Sequence, residues 1–197
     1  FKYSSNPEVL TGEIENLTNY SQRKKNLELR KKMFEDKEDE QSLKQLERLE
    51  QLYTLGGVNF DSVIIIDFGN SLKSVLTSLA YTDVNQEKVL ITTVNQWFDE
   101  SIFYENTIKN LYYPSINYKE FKKYNANYFK AFNSYPNEIT ILTYDALGLI
   151  YYAWRKNGNI SSVNDFSFKN KIKGKIGTFS FKDKKVIQEL EIYRVEK

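Results

Sequence analysis

Asp61-Ser62-Val63-Ile64-Ile65-Ile66-Asp67 sets four consecutive β-branched residues between acidic ends, and Phe68-Gly69-Asn70-Ser71-Leu72 follows at once. An apolar run of this length and type predicts a short strand buried on both faces of a parallel sheet. Gly69, Asn70 and Ser71 suit the opening of a helix. Leu72, Val75, Leu76 and Leu79 mark its buried face, and Asp83 ends it. Lys88 to Thr93 repeats the strand pattern through Val89, Leu90 and Ile91, and a loop with Asn95, Gln96 and Trp97 comes next. The unit is strand, helix, strand, and such a connection is expected to be right-handed.

Upstream, Phe1-Lys2-Tyr3 alternates like the tail of a strand, and Ser4-Ser5-Asn6-Pro7 carries cap residues before a proline fit for a first helical turn. A helix is expected from near Pro7, its packed side running through Leu10, Ile14, Leu17 and Tyr20 to Leu27. Dense mixed charge then begins with Arg23, Lys24 and Lys25. The acidic run Glu35, Asp36, Glu38, Asp39 and Glu40 is expected to break the helix. Leu43, Leu46, Leu49 and Leu52 recur at steps of three, so a charged helical hairpin is expected over about 21–55. It reads either as a partner-binding arm or as a solvated insertion.

Downstream, Asn110 to Pro114 supplies another short strand. Tyr118, Phe121, Tyr124, Tyr128, Phe129 and Phe132 form an aromatic helical stripe of the kind that packs in a core. Asn137 caps a further helix whose broad apolar face, Ile141, Leu142, Ala146, Leu149, Ile150 and Ala153, implies deep burial, and Asn157-Gly158-Asn159 stops it. Lys175 to Phe181 and Gln188 to Val195, joined by Lys182-Asp183-Lys184-Lys185, read as a β-hairpin.

The 197 residues hold 28 basic and 26 acidic side chains and neither histidine nor cysteine. Catalysis by Ser-His-Asp or Cys-His sets is thereby excluded, as are metal sites built on those ligands. A net charge of +2 provides no basic field for a nucleic acid. No apolar run approaches the roughly 20 residues that span a bilayer. Phe1 follows no initiator methionine, so a preceding segment is expected. No cofactor or metal is expected.

Alternating strands and helices predict an α/β three-layer sandwich with a mostly parallel sheet, which binds ligands beyond the carboxyl ends of its strands. Asn59 through Leu72 resembles the strand, loop and helix of type I periplasmic solute-binding proteins, the leucine- and amide-binding group. It is similar above all to the branch that includes lipoprotein activators of penicillin-binding proteins. Tyr135-Pro136 through Thr143-Tyr144-Asp145-Ala146-Leu147-Gly148 resembles that family's late helix. Gly174-Lys175-Ile176-Gly177-Thr178-Phe179-Ser180-Phe181 resembles its closing hairpin.

The resemblance covers most of 59–197, more loosely the first twenty residues, and implies the carboxy-terminal half of a two-lobed protein. It places 1–116 in a second-lobe α/β segment with the helical hairpin inserted, and 117–197 in helices and a β-hairpin returning toward an absent first lobe. It implies a non-enzymatic, periplasmic or extracytoplasmic protein, with lipid anchoring upstream as one form. Such a protein holds a small polar solute, an amino acid or amide, in an interlobe cleft for an ABC transporter. The second reading is an interaction protein that activates a peptidoglycan synthase, with the arm from Gln22 to Leu52 as contact surface. Half of a clamp also invites self-association over its uncovered side.

The resemblance assigns ligand contacts to Asp67, Phe68, Gly69 and Asn70 in one loop and to Asn95, Gln96 and Trp97 in another. Asn70 reads first as a plain helix cap, and Trp97 equally as a ring that stacks on a ligand or a plug between lobes. The acidic residue with which the family's amino-acid binders meet an ammonium group falls late here, at Asp99 and Glu100, which favours the activator reading. A third class is a carboxylate-based hydrolase pairing Asp67 with Asp99 or Glu100.

Overall fold

The computed structural model describes residues 1–4, 6–94, 110–183 and 185–195, and it is a mixed α/β protein. In chain order it contains α1 (Pro7–Leu17), α2 (Tyr20–Glu35), α3 (Glu40–Glu50), β1 (Ser62–Ile65), α4 (Gly69–Tyr81), β2 (Leu90–Thr93) and β3 (Leu111–Ser115). There follow α5 (Tyr118–Phe132), α6 (Glu138–Asn157), a single 3-10 turn at Val163–Phe166, and β4 (Ile172–Lys173), β5 (Thr178–Lys182), β6 (Lys185–Glu189) and β7 (Glu191–Arg194). None of the described helices is long and apolar enough to cross a membrane.

Two compact units divide the described residues. The first holds the chain up to Val94 with 110–112 and 194–195; the second holds 113–193. The division falls within β3 and within β7. One sheet has the order β1-β2-β3-β7, with β1 parallel to β2 and β2 parallel to β3. The other is antiparallel, in the order β4-β5-β6.

In the first unit, pairing of Val63 with Ile91, Ile65 with Thr93 and Ile91 with Leu111 puts these residues on one face. Ile65, Ile91, Thr93 and Leu111 are buried there. The opposite face is open among the described residues: Ile64 and Ile66 are 71% and 76% exposed, against 3% for Ile65. The expectation of a strand buried on both faces is therefore corrected. A short run of β-branched residues fits a pleat whether one side or two are covered, so the run itself cannot count layers. Phe1-Lys2-Tyr3 also forms no strand.

Asn6 caps α1 as expected, its side chain accepting from the Glu8 amide, but the helix does not continue to Leu27. Asn19 adopts the left-handed region at φ 50°, and α2 starts anew behind it. Asn tolerates that conformation better than other residues with a Cβ. α1 packs on α4, and α2 on α3. Of the expected leucine seam only Leu49 is buried, while Leu43 and Leu52 are exposed.

Arg23 holds the base of the α2–α3 pair. Its side chain is buried, and it donates from Nε to the Gly56 carbonyl at 3.0 Å and from Nη1 to the Thr82 carbonyl at 2.9 Å. Nη2 donates to Thr54 Oγ1 at 2.8 Å and to the Asp83 carbonyl at 2.9 Å. Thr54 Oγ1 in turn donates to Asp83 Oδ2 at 2.6 Å. A planar fork with five donors satisfies several acceptors at once, which is why an arginine is tolerated inside.

In the second unit Ile116, Phe121, Tyr124, Ile141 and Ile176 form the core, with Tyr128 against it. Asn137 caps α6 by accepting from the Thr140 amide, and Gly158 ends it at φ 78°. The deep burial expected of α6 is not observed. Ile141 and Ala153 are buried and Leu149 half-buried, whereas Leu142, Ala146 and Ile150 are exposed. A narrow stripe of the helix rests on the core.

The carboxy-terminal hairpin is shifted from its expected pairing. Lys182 pairs with Lys185, so the connection is two residues long, opening with Asp183 at φ 51°, and β6 covers Lys185–Glu189. Asp is among the few residues with a Cβ that accept that backbone in a tight turn. The remainder of the expected second strand is β7, which joins the parallel sheet instead.

Candidate functional site

β1 delivers Asp67 and Phe68 to the start of α4, at the carboxyl end of the parallel strands. Phe68 is the N-cap residue, extended at φ −136°, and it offers no side-chain acceptor to the first turn of the helix. The reading of Asn70 as a plain cap is thus corrected: Asn70 lies one position inside the helix, exposed, its carbonyl accepting from Ser74 Oγ at 3.0 Å. No acidic residue occupies that first turn. The side chain of Phe68 therefore caps none of the amides at the head of α4, and a helix start with its dipole favours an anion.

Asp67 is tied back into the fold. Its Oδ1 accepts from the Phe68 amide at 2.8 Å and its Oδ2 from the Tyr3 hydroxyl at 2.6 Å. Burial, then the hydrogen bond to Asp67 and its negative charge, raise the Tyr3 hydroxyl well above its ordinary pKa. Tyr3 stays protonated and remains a donor. Phe68 is exposed beside Asp67. An acceptor, an aromatic ring and a helix start suit a small polar molecule that carries both a donor and an acidic or carbonyl group.

The structure thus brings Asp67, Phe68, Gly69 and Asn70 together. Asn95, Gln96 and Trp97 lie outside the described residues, as do Asp99 and Glu100. The support of Asp67 by Tyr3 had no signal of its own in the sequence. Tyr3 stands 64 positions from Asp67, and only its place in an alternating triplet drew notice. Among the described residues no group of three or more acidic side chains could hold a metal ion.

The two motifs of the second unit meet each other. Asp145, on α6, accepts from the Lys175 amide at 2.7 Å and from the Ile176 amide at 3.2 Å. Gly174 permits this approach: a Cβ there would lie 2.7 Å from Asp145 Oδ2 and 2.5 Å from the Phe179 ring. The Tyr144-Asp145-Ala146 element and the glycine-bearing turn are therefore a fastening between helix and small sheet. Ile176, whose amide the carboxylate holds, is fully buried in the core.

No family model, curated protein or solved structure matches the chain.

Proposed function

We propose that the chain is part of a non-enzymatic, extracytoplasmic ligand-binding protein of the type I solute-binding kind. It captures a small polar solute, an amino acid or an amide, for an ABC transporter. The observation that carries the reading is the start of α4 beside Asp67, at the carboxyl edge of a parallel sheet. Open α/β sheets bind ligands at that edge, and a helix start whose first turn holds no acidic residue and whose N-cap side chain offers no acceptor favours the negative end of a ligand. Asp67, already oriented by Tyr3, accepts from the solute's donor.

Titration calorimetry with a panel of amino acids and primary amides tests this. The expected result is saturable heat with one class of solute, and an affinity lowered about tenfold by Asn70→Asp, which sets a like charge against a bound carboxylate while favouring the helix itself. No heat with any solute, or unchanged affinity in Asn70→Asp, would contradict it.

A second reading, activation of a peptidoglycan synthase, is favoured by one feature. Leu29, Met33 and Leu43 stand exposed among the charges of α2 and α3, an apolar set on an arm that a protein partner can cover. Synthase activity raised by the protein, and no longer raised by Leu43→Asp with Met33→Asp, is the outcome this reading requires.

A further inference from the structure

A groove in the second unit, between α6 and the β4–β6 sheet, is distinct from the loop at α4. One part is a hollow of about 840 Å³ bounded by Leu149, Tyr152, Phe179 and Val186. It continues into a second of about 420 Å³ that shares Leu149 and Val186 and adds Phe168 and Phe181. The rings of Tyr152, Phe168 and Phe181 form a chain, at centroid distances of 5.3 and 5.0 Å, that links the two hollows. The floor is apolar and elongated.

The charge on its walls is mostly positive. Arg155, Lys173 and Lys175 line the larger hollow, and Lys169 and Lys182 the smaller. Lys169, Lys171, Lys173 and Lys175 alternate along the chain and are all exposed. Of these four, Lys171 is paired, with Glu189. Two carboxylates line the hollows. Asp145 already accepts two backbone amides, and Asp183 sits in the hairpin turn. The stretch 169–185 carries seven lysines against the single acid Asp183.

An apolar trough with surplus cations on its rim matches an amphipathic anion. We propose that this groove binds a long-chain carboxylate, a fatty acid, with its acyl chain over Leu149, Tyr152, Phe168 and Val186. Its head group is held by Arg155 and Lys173. A guanidinium takes a carboxylate through two parallel hydrogen bonds, and the ammonium adds a second positive charge. No bond is made or broken. The site is independent of the solute site at α4, so either can fail without the other.

The test is calorimetry of the whole chain with laurate below its micelle concentration, beside acetate, which lacks the chain, and dodecyl maltoside, which lacks the charge. The expected result is saturable binding of one laurate, weakened by salt, with acetate and dodecyl maltoside at least about tenfold weaker. Arg155→Glu with Lys173→Glu lowers laurate affinity at least about tenfold. Val186→Glu, an exposed position in the apolar wall, does the same, and circular dichroism checks that both variants keep the fold. The proposal is overturned if laurate does not bind, if dodecyl maltoside binds as tightly, or if both variants bind laurate like the parent. Self-association through this face with no laurate uptake would overturn it too, making the groove an interface between copies.

Discussion

Arg23 is the residue on which the first unit turns, and its surroundings in the sequence conceal it. It opens a run with Lys24 and Lys25, both exposed, and nothing in that triplet distinguishes the buried cation from the solvated pair. The distinction is made by Thr54, Gly56, Thr82 and Asp83, some 30 to 60 positions away. Arg23→Met keeps the bulk and removes every donor, so four acceptors lose their partner. We expect a loss of about 3–5 kcal/mol in chemical denaturation, whereas Lys24→Met changes stability by less than about 0.5 kcal/mol. Gly174→Ala forces a methyl into the Phe179 ring and the Asp145 carboxylate and is expected to cost about 1–3 kcal/mol by the same measurement. Tyr3 gives a pH dependence of definite sign. Its pKa is raised in the fold, by burial first and then by Asp67, so the stability tied to the protonated hydroxyl is complete below the unfolded value of 10.0 and falls as pH rises from there toward the higher folded value. Thermal melts between about pH 8 and 11 should show that alkaline loss in the parent and a smaller one in Tyr3→Phe.

At the scale of elements, the clearest signals were those with a local cause. Asn6, Asn137 and Gly158 mark helix ends because a cap bonds within three residues and a left-handed glycine needs only its own backbone. Asp39, read in the sequence only as part of the acidic run that breaks the helix, caps α3 by the same local rule: it accepts from the Ser42 amide at 2.9 Å, and hydrogen bonding from Ser42, side chain and backbone, holds its carboxyl below the usual value of 3.8. That contribution is complete above the unfolded value and disappears as pH falls through the lower folded one. Amide exchange should therefore show protection at the start of α3 falling in acid in the parent, and not in Asp39→Asn, which caps without titrating. Elements whose limits depend on distant partners were read less well. The split of the carboxy-terminal strand into β6 and β7 follows from pairing with two different sheets, and alternation is the same in both. The open face of β1 and the exposed side of α6 have one explanation: apolar periodicity states which residues can be buried, and cover from other parts of the chain decides which are.

For the molecule as a whole, the order of strands and helices was legible because each parallel pairing needs a crossover, and the residues supplying the helix between β1 and β2 lie in plain sequence between them. The described residues fall into two units that part inside β3 and inside β7, where no run of linker residues marks a boundary. The strand-to-helix junction that carries Asp67, Phe68, Gly69 and Asn70 was legible in the run from Asp61 to Leu72, and its support by Tyr3 was not. The functional claim rests on that junction acting as a receptor for the acidic or carbonyl end of a solute. The most direct measurement is a nitrogen-edited NMR titration of the labelled protein with the amino-acid and amide panel, following the amides of Gly69, Asn70 and Ser71. The account predicts saturable shifts at these amides with one solute class, accompanied by a change at Asp67. Amides that stay in place at saturating solute, or shifts confined to other elements, would contradict it.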